Sequence, residues 1–140
     1  MYTAPTSTSN SVFNLESTFG FEKAWDIHDR STTEHFVTSL AFNEDSTFSC
    51  GVGWYLSEWY VAFTGTYEVS GDEVILHYIL DGQEKTTSYQ VKWDDQTLRQ
   101  TSEENLVIAH QIGSEYPFEE NSWYSADDLV NQVETFIRYS

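Results

Sequence analysis

The feature that most constrains the fold of this chain is a two-residue alternation of apolar and polar side chains, repeated in short segments. It is clearest over residues 59–69, where Trp59, Val61 and Phe63 occupy one parity and Tyr60 the other. This period is typical of β-strands that bury one face. Polar turns separate the segments, and the Asp-Gly pair at residues 81–82 is a strong hairpin signal.

The alternation predicts an antiparallel meander of eight short strands. The predicted strands cover residues 21–28, 36–42, 48–54, 59–69, 74–80, 87–93, 97–101 and 106–112. Gly51 and Gly53 interrupt the third strand and indicate a bulge or a sharp bend. A meander leaves two sheet edges exposed unless it closes, so we expect a closed barrel.

The period changes near the C-terminus. Ser125 can cap a helix with Asp128 three residues later, and an apolar stripe from Leu129 to Ile137 follows at helical spacing. We therefore predict one α-helix over residues 125–138, packed on the outside or the end of the sheet, and an irregular linker over residues 116–121. Residues 1–11 lack periodic apolar positions and are predicted to be a flexible leader, with a single barrel domain over residues 12–140.

Length and charge narrow the classes of function. A chain of 140 residues suits one domain, and its 23 acidic against six basic residues give a formal net charge of -17. Such a balance excludes nucleic-acid binding through a basic footprint and disfavours anionic membranes. One cysteine permits no internal disulfide, and no secretory signal or membrane span is evident, so we expect a cytoplasmic protein.

A family resemblance follows from the order of elements. Strand-turn-strand segments at residues 40–48, 65–76 and 89–98, with a helix at the end, resemble the lipocalin-like (calycin) barrels, especially the small bacterial ones. The resemblance covers residues 20–140 in layout and implies a mainly β, eight-stranded barrel. Trp25 lies near the family's floor tryptophan, although Gly20 precedes it by five positions, where the family separates the two by one residue.

The first functional hypothesis is a non-enzymatic barrel that holds a small apolar molecule, because an interior of about eight strands is either filled by side chains or holds one small ligand. Aromatic residues are the predicted lining: Trp25, Trp54, Trp59, Phe63, Tyr78, Tyr89 and Trp93. The cluster around residues 54–63 can also anchor a protein partner, with Tyr55 and Tyr60 as surface candidates.

The alternative hypothesis is an acidic interaction or inhibitor protein that occludes a basic partner surface, imitating a nucleic-acid backbone. Acidic pairs in turns are its candidate contacts, namely Asp94, Asp95, Glu103 and Glu104. No nucleotide or hydrolase motif occurs, so an enzyme is the minority hypothesis and no cofactor is expected. His28, flanked by Asp26 and Asp29, is predicted to be a solvated strand-end residue rather than a metal ligand.

Overall fold

A computed structural model of the chain describes residues 19–29, 36–54, 59–92, 96–102 and 115–139. The predicted leader at residues 1–11 and the predicted strand at residues 106–112 lie outside these ranges. The described elements are eight strands and a helix, here named α1. They are β1 Lys23–Asp29, β2 Phe36–Phe42, β3 Thr47–Trp54, β4 Trp59–Ser70, β5 Glu73–Leu80, β6 Gln83–Lys92, β7 Thr97–Gln100, β8 Glu115–Ser125 and α1 Ala126–Arg138.

The eight strands form one closed antiparallel barrel in which each strand pairs with its neighbours in sequence and β1 closes the ring on β8. This confirms the predicted meander, the closure and the C-terminal helix. The turn between β5 and β6 is made by Asp81 and Gly82, both with positive φ, at 54° and 76°. Positive φ at both central residues is what a type I′ hairpin requires, which is why Asp-Gly is so strong a signal.

The last strand corrects the prediction, because the predicted linker at residues 116–121 lies within β8. Tyr116 and Phe118 point into the barrel, while Pro117 pairs with Thr97 of β7. A proline and a run of polar residues favour a turn locally. Pairing with the open edges of β1 and β7 outweighs that preference, since an unpaired edge leaves backbone donors and acceptors unsatisfied.

The barrel has an apolar interior to which every strand contributes. Phe48, Leu76 and Ile27 are fully buried there, and Phe63 stacks on Tyr78 with ring centroids 4.3 Å apart. The Tyr78 hydroxyl shares a hydrogen bond with Thr87. Burial, and then the nearby Cys50, Tyr78 and Tyr116, raise the pKa of Tyr89 well above its usual value of 10. The described interior is therefore a packed, mainly apolar core.

A second apolar layer lies between α1 and the outer surface of the barrel. Small residues on the outward parity of the strands, Ala24, Ala41 and Ala62, form a flat seat for Leu129 and Val133 of the helix. Ala24 pairs directly with Ala41 across β1 and β2, so the seat is continuous between these strands. The helix begins as predicted: the Ser125 side chain accepts from the Asp128 amide, and the Asp128 side chain accepts from the Ser125 amide.

Candidate functional site

The barrel interior contains four of the seven residues predicted to line a ligand cavity. Trp25, Phe63, Tyr78 and Tyr89 are all buried there. The Trp25 indole donates to the carbonyl of Phe19 at 2.8 Å. These aromatic rings pack on one another and on aliphatic neighbours, so they fill the interior that they were predicted to line.

A cavity inside the barrel, lined by described residues that include Trp25, Leu40 and Tyr89, has a volume of about 10 Å³. That is about the volume one water molecule needs, whereas ligand pockets measure roughly 300–1,000 Å³. A small apolar molecule would therefore have to displace core side chains, at the cost of their packing. The described part of the interior therefore has too little free volume for a ligand without rearrangement of the core.

Two of the predicted lining residues lie elsewhere, which corrects their predicted position. Trp59 lies on the outside of the barrel against Phe136 of α1, at 6.3 Å between ring centroids. The cause is a bulge: the pairing of β3 with β4 shifts between Val52 and Gly53, so Trp59 and Phe63 no longer share a face. The extra residue of this bulge is Tyr60 in β4, whereas the glycines predicted a bulge or bend in the third strand, which pairs with β2 without a register shift.

Trp54 lies at the end of β3 with 42% of its surface exposed, next to Tyr60 at 5.3 Å and Phe36 at 5.7 Å between centroids. Tyr60 is 41% exposed, as expected for a surface candidate. The remaining predicted site residues lie outside the described part of the chain: Trp93, Tyr55, Asp94, Asp95, Glu103 and Glu104.

A groove on the outer surface, open to solvent, has a volume of about 370 Å³. It runs between the first three strands, β8 and the start of β4. We call it the outer groove. Its lining consists of Asp26, Val37, Ser39, Gly53, Trp54, Trp59, Glu119, Glu120, Asn121, Ser122, Trp123 and Tyr124. These residues include three carboxylates and three tryptophans, and neither Lys nor Arg.

The acidic side of the outer groove is built across β1 and β8. Asp26 and Glu119 are direct cross-strand partners, an arrangement in which like charges weaken a sheet. Neutral donors hold the Asp26 carboxylate: the Ser39 hydroxyl at 2.8 Å, and the Asn121 amide at 3.0 and 3.1 Å to its two oxygens. The groove therefore keeps an anionic carboxylate that is oriented by neutral groups.

The aromatic side of the outer groove depends on a turn within β8. The Asn121 side-chain oxygen accepts from the backbone amides of Trp123 and Tyr124 at 2.7 and 2.8 Å. This Asx-type turn holds Trp123, whose side chain is 77% exposed. Asn121 thus connects the carboxylate of Asp26 to the backbone that carries the exposed indole.

The second carboxylate, Glu119, lies beside an unexpected histidine. His28 is 2% exposed, and its Nε2 lies 2.8 Å from a Glu119 oxygen. The prediction of a solvated strand-end residue is therefore wrong for His28, and Asp29 is also buried. Position explains this: His28 is diagonal to Glu119 across the β1–β8 ladder, within reach of a long side chain.

Glu120 completes the acidic side and lies 3.4 Å from the Lys23 ammonium, both side chains being about half exposed. An ion pair so open to solvent contributes little to stability and exchanges easily with other charges. The sequence did not single out Asp26, Asn121 or Trp123 for this groove. The available signal was a tryptophan after Asn-Ser, two residues before the helix cap Ser125.

The described residues contain no group of three or more His, Cys, Asp or Glu that could hold a metal ion. Cys50 is fully buried in the barrel, and this burial raises the pKa of its thiol far above the usual value. A thiol held protonated is a poor nucleophile. In the described ranges, no helix has the length and apolar character to cross a membrane.

No family model, no curated protein and no solved structure matches this chain.

Proposed function

We propose that this chain is a non-enzymatic, lipocalin-like binding protein that engages a basic protein partner through the outer groove. The observation that carries the proposal is the lining of that groove by described residues, which include three carboxylates and three tryptophans and neither Lys nor Arg. Tryptophan dominates binding hot spots, and surrounding carboxylates favour a partner of opposite charge. The small cavity in the described interior counts against the first hypothesis, a small apolar ligand inside the barrel.

The overall charge supports the same partner class. At -17 the chain repels its own copies and attracts basic surfaces, which accelerates encounter at low ionic strength. The net charge alone explains attraction to a basic partner and does not specify where on the surface the partner binds. The outer groove supplies the location, because it joins a concave shape to aromatic side chains that a partner can cover.

The test uses a 16-residue peptide of equal Lys and Arg content, titrated at 50 and 300 mM salt. We expect affinity to fall steeply with salt, and to fall further in the double variant Glu119→Gln, Glu120→Gln. The matched control is Asp81→Asn, Glu84→Gln at the exposed β5–β6 turn, which removes the same number of charges.

If both double variants weaken the peptide equally, the attraction belongs to bulk charge and the outer groove has no special role. Binding that is insensitive to salt would also overturn the proposal, because screening must weaken an electrostatic complex.

A further inference from the structure

The side chains that line the outer groove indicate which chemical group of the partner binds there. Resting on the proposed function, we infer that the outer groove receives an arginine side chain of the basic partner. The guanidinium lies on the carboxylate of Asp26 and stacks on the indoles at the groove wall. Asp26 is half-buried in this groove, and Asn121 connects it to the backbone of Trp123.

Asp26 has the acceptor capacity that this arrangement needs. A carboxylate offers about four lone-pair sites. Ser39 and Asn121 supply three contacts, two of them on one oxygen and one on the other. Both donors are neutral, so the negative charge stays uncompensated by either of them. A cation from outside adds a charge-assisted hydrogen bond, which is stronger than one between neutral groups.

The cross-strand pairing of Asp26 with Glu119 adds a second reason for a cation. Two facing carboxylates cost stability in the unbound protein. A positive group placed between them relieves that repulsion when the partner binds. Ser39 and Asn121 contact Asp26, and His28 contacts Glu119, so the repulsion is partly offset before a partner binds, and a cation here would still meet two carboxylates rather than one.

The aromatic walls favour arginine over lysine. Trp54, Trp59 and Trp123 line the same groove as Asp26, and Trp54 and Trp123 are substantially exposed. A guanidinium is planar, less strongly hydrated than an ammonium, and stacks on aromatic faces while it hydrogen-bonds a carboxylate in its own plane. A volume of about 370 Å³ lies at the small end of ligand pockets, which suits one side chain.

The experiment follows tryptophan indole N–H resonances while N-acetyl-arginine methylamide is added to the full chain. We expect saturable shifts for Trp54, Trp59 and Trp123. Trp25 is the internal control, because it is buried in the barrel and donates to Phe19. The citrulline analogue, equal in shape but uncharged, should give at least tenfold weaker binding, and the lysine analogue should be clearly weaker than arginine.

Two variants test the residues. Asp26→Asn should weaken the arginine probe about tenfold. Trp123→Ala should weaken it several-fold, and folding is not at risk because this side chain is largely exposed. Tyr139→Ala removes a comparably exposed aromatic ring at the far end of α1 and should leave the affinity unchanged.

The inference is overturned if citrulline or lysine binds as well as arginine, or if Tyr139→Ala acts like Trp123→Ala. Its failure is distinct from failure of the proposed function. If the basic peptide still binds with groove-dependent salt sensitivity while the arginine probe shifts no indole, the groove engages basic partners by another group. If the peptide also fails, both conclusions fall.

Discussion

Replacing Gly51 with alanine tests how the outer groove is built. A Cβ built on Gly51 would overlap the six-membered ring of the Trp59 indole, which lies flat over this glycine. Trp59 also packs against Phe136 of α1, so a shift of the indole would disturb that contact. We expect Gly51→Ala to destabilise the protein by about 1–3 kcal/mol, the range for overpacking.

Gly51→Ala should no longer lower the free energy of unfolding once the Trp59 indole is removed. Gly51 is not among the glycines with positive φ, so an alanine is compatible with its backbone. In a Trp59→Ala background, Gly51→Ala should then be neutral or stabilise the fold by about 0.4–1 kcal/mol, because alanine restricts the unfolded chain. The double-mutant cycle should give a coupling energy of about 1–3 kcal/mol between the two positions.

Urea unfolding followed by far-UV circular dichroism measures all four proteins of the cycle, with the slope on denaturant checked for constancy. If Gly51→Ala costs the same with and without the indole, Trp59 does not lie on the glycine, and the account of the bulge that turned it outward is wrong. A change in the slope would place the effect in the unfolded ensemble instead.

Three further outcomes follow from single contacts. Ser125→Ala removes the cap of α1 and should cost about 1 kcal/mol, measured as a lower thermal midpoint. The Thr47 hydroxyl and amide lower the pKa of Asp45 below 3.8, so this carboxylate favours the folded state above that value and loses its contribution as pH falls through the lowered pKa. Carboxyl NMR titration of Thr47→Val should move the midpoint back up, and an unchanged midpoint would contradict the assignment. Cys50 should resist a thiol reagent in the native protein and react on unfolding, whereas fast native labelling would contradict its burial.

Those parts of the fold that depend on neighbouring residues could be predicted from the sequence. The Asp81-Gly82 hairpin and the Ser125 cap are local chemistry, and both are present as expected. Strand β8 could not be found in this way, because Pro117 and the polar residues after it favour a turn. Its strand conformation comes from pairing with β7, the preceding strand, and with β1, which is distant in sequence.

The outer groove was hidden from the sequence for a related reason. The side of the sheet on which Trp59 lies depends on a bulge in β4, whereas the sequence predicted a bulge or bend in the third strand. The contacts of Asp26 with Asn121 join residues 95 positions apart. A period of two tells which residues share a face, and it carries no information on which distant strand lies beside them.

The ring closes by a seam between β1 and β8, and the His28–Glu119 contact there spans 91 residues. During synthesis, β1 emerges from the ribosome long before its second neighbour exists. Until β8 is synthesised, a hairpin of β1 and β2 leaves one edge of β1 unpaired. The backbone N–H and C=O groups of that edge can then pair with strands of other chains. Final closure should therefore be a late and slow event in folding, since contacts of such long sequence separation are formed against the largest loop entropy.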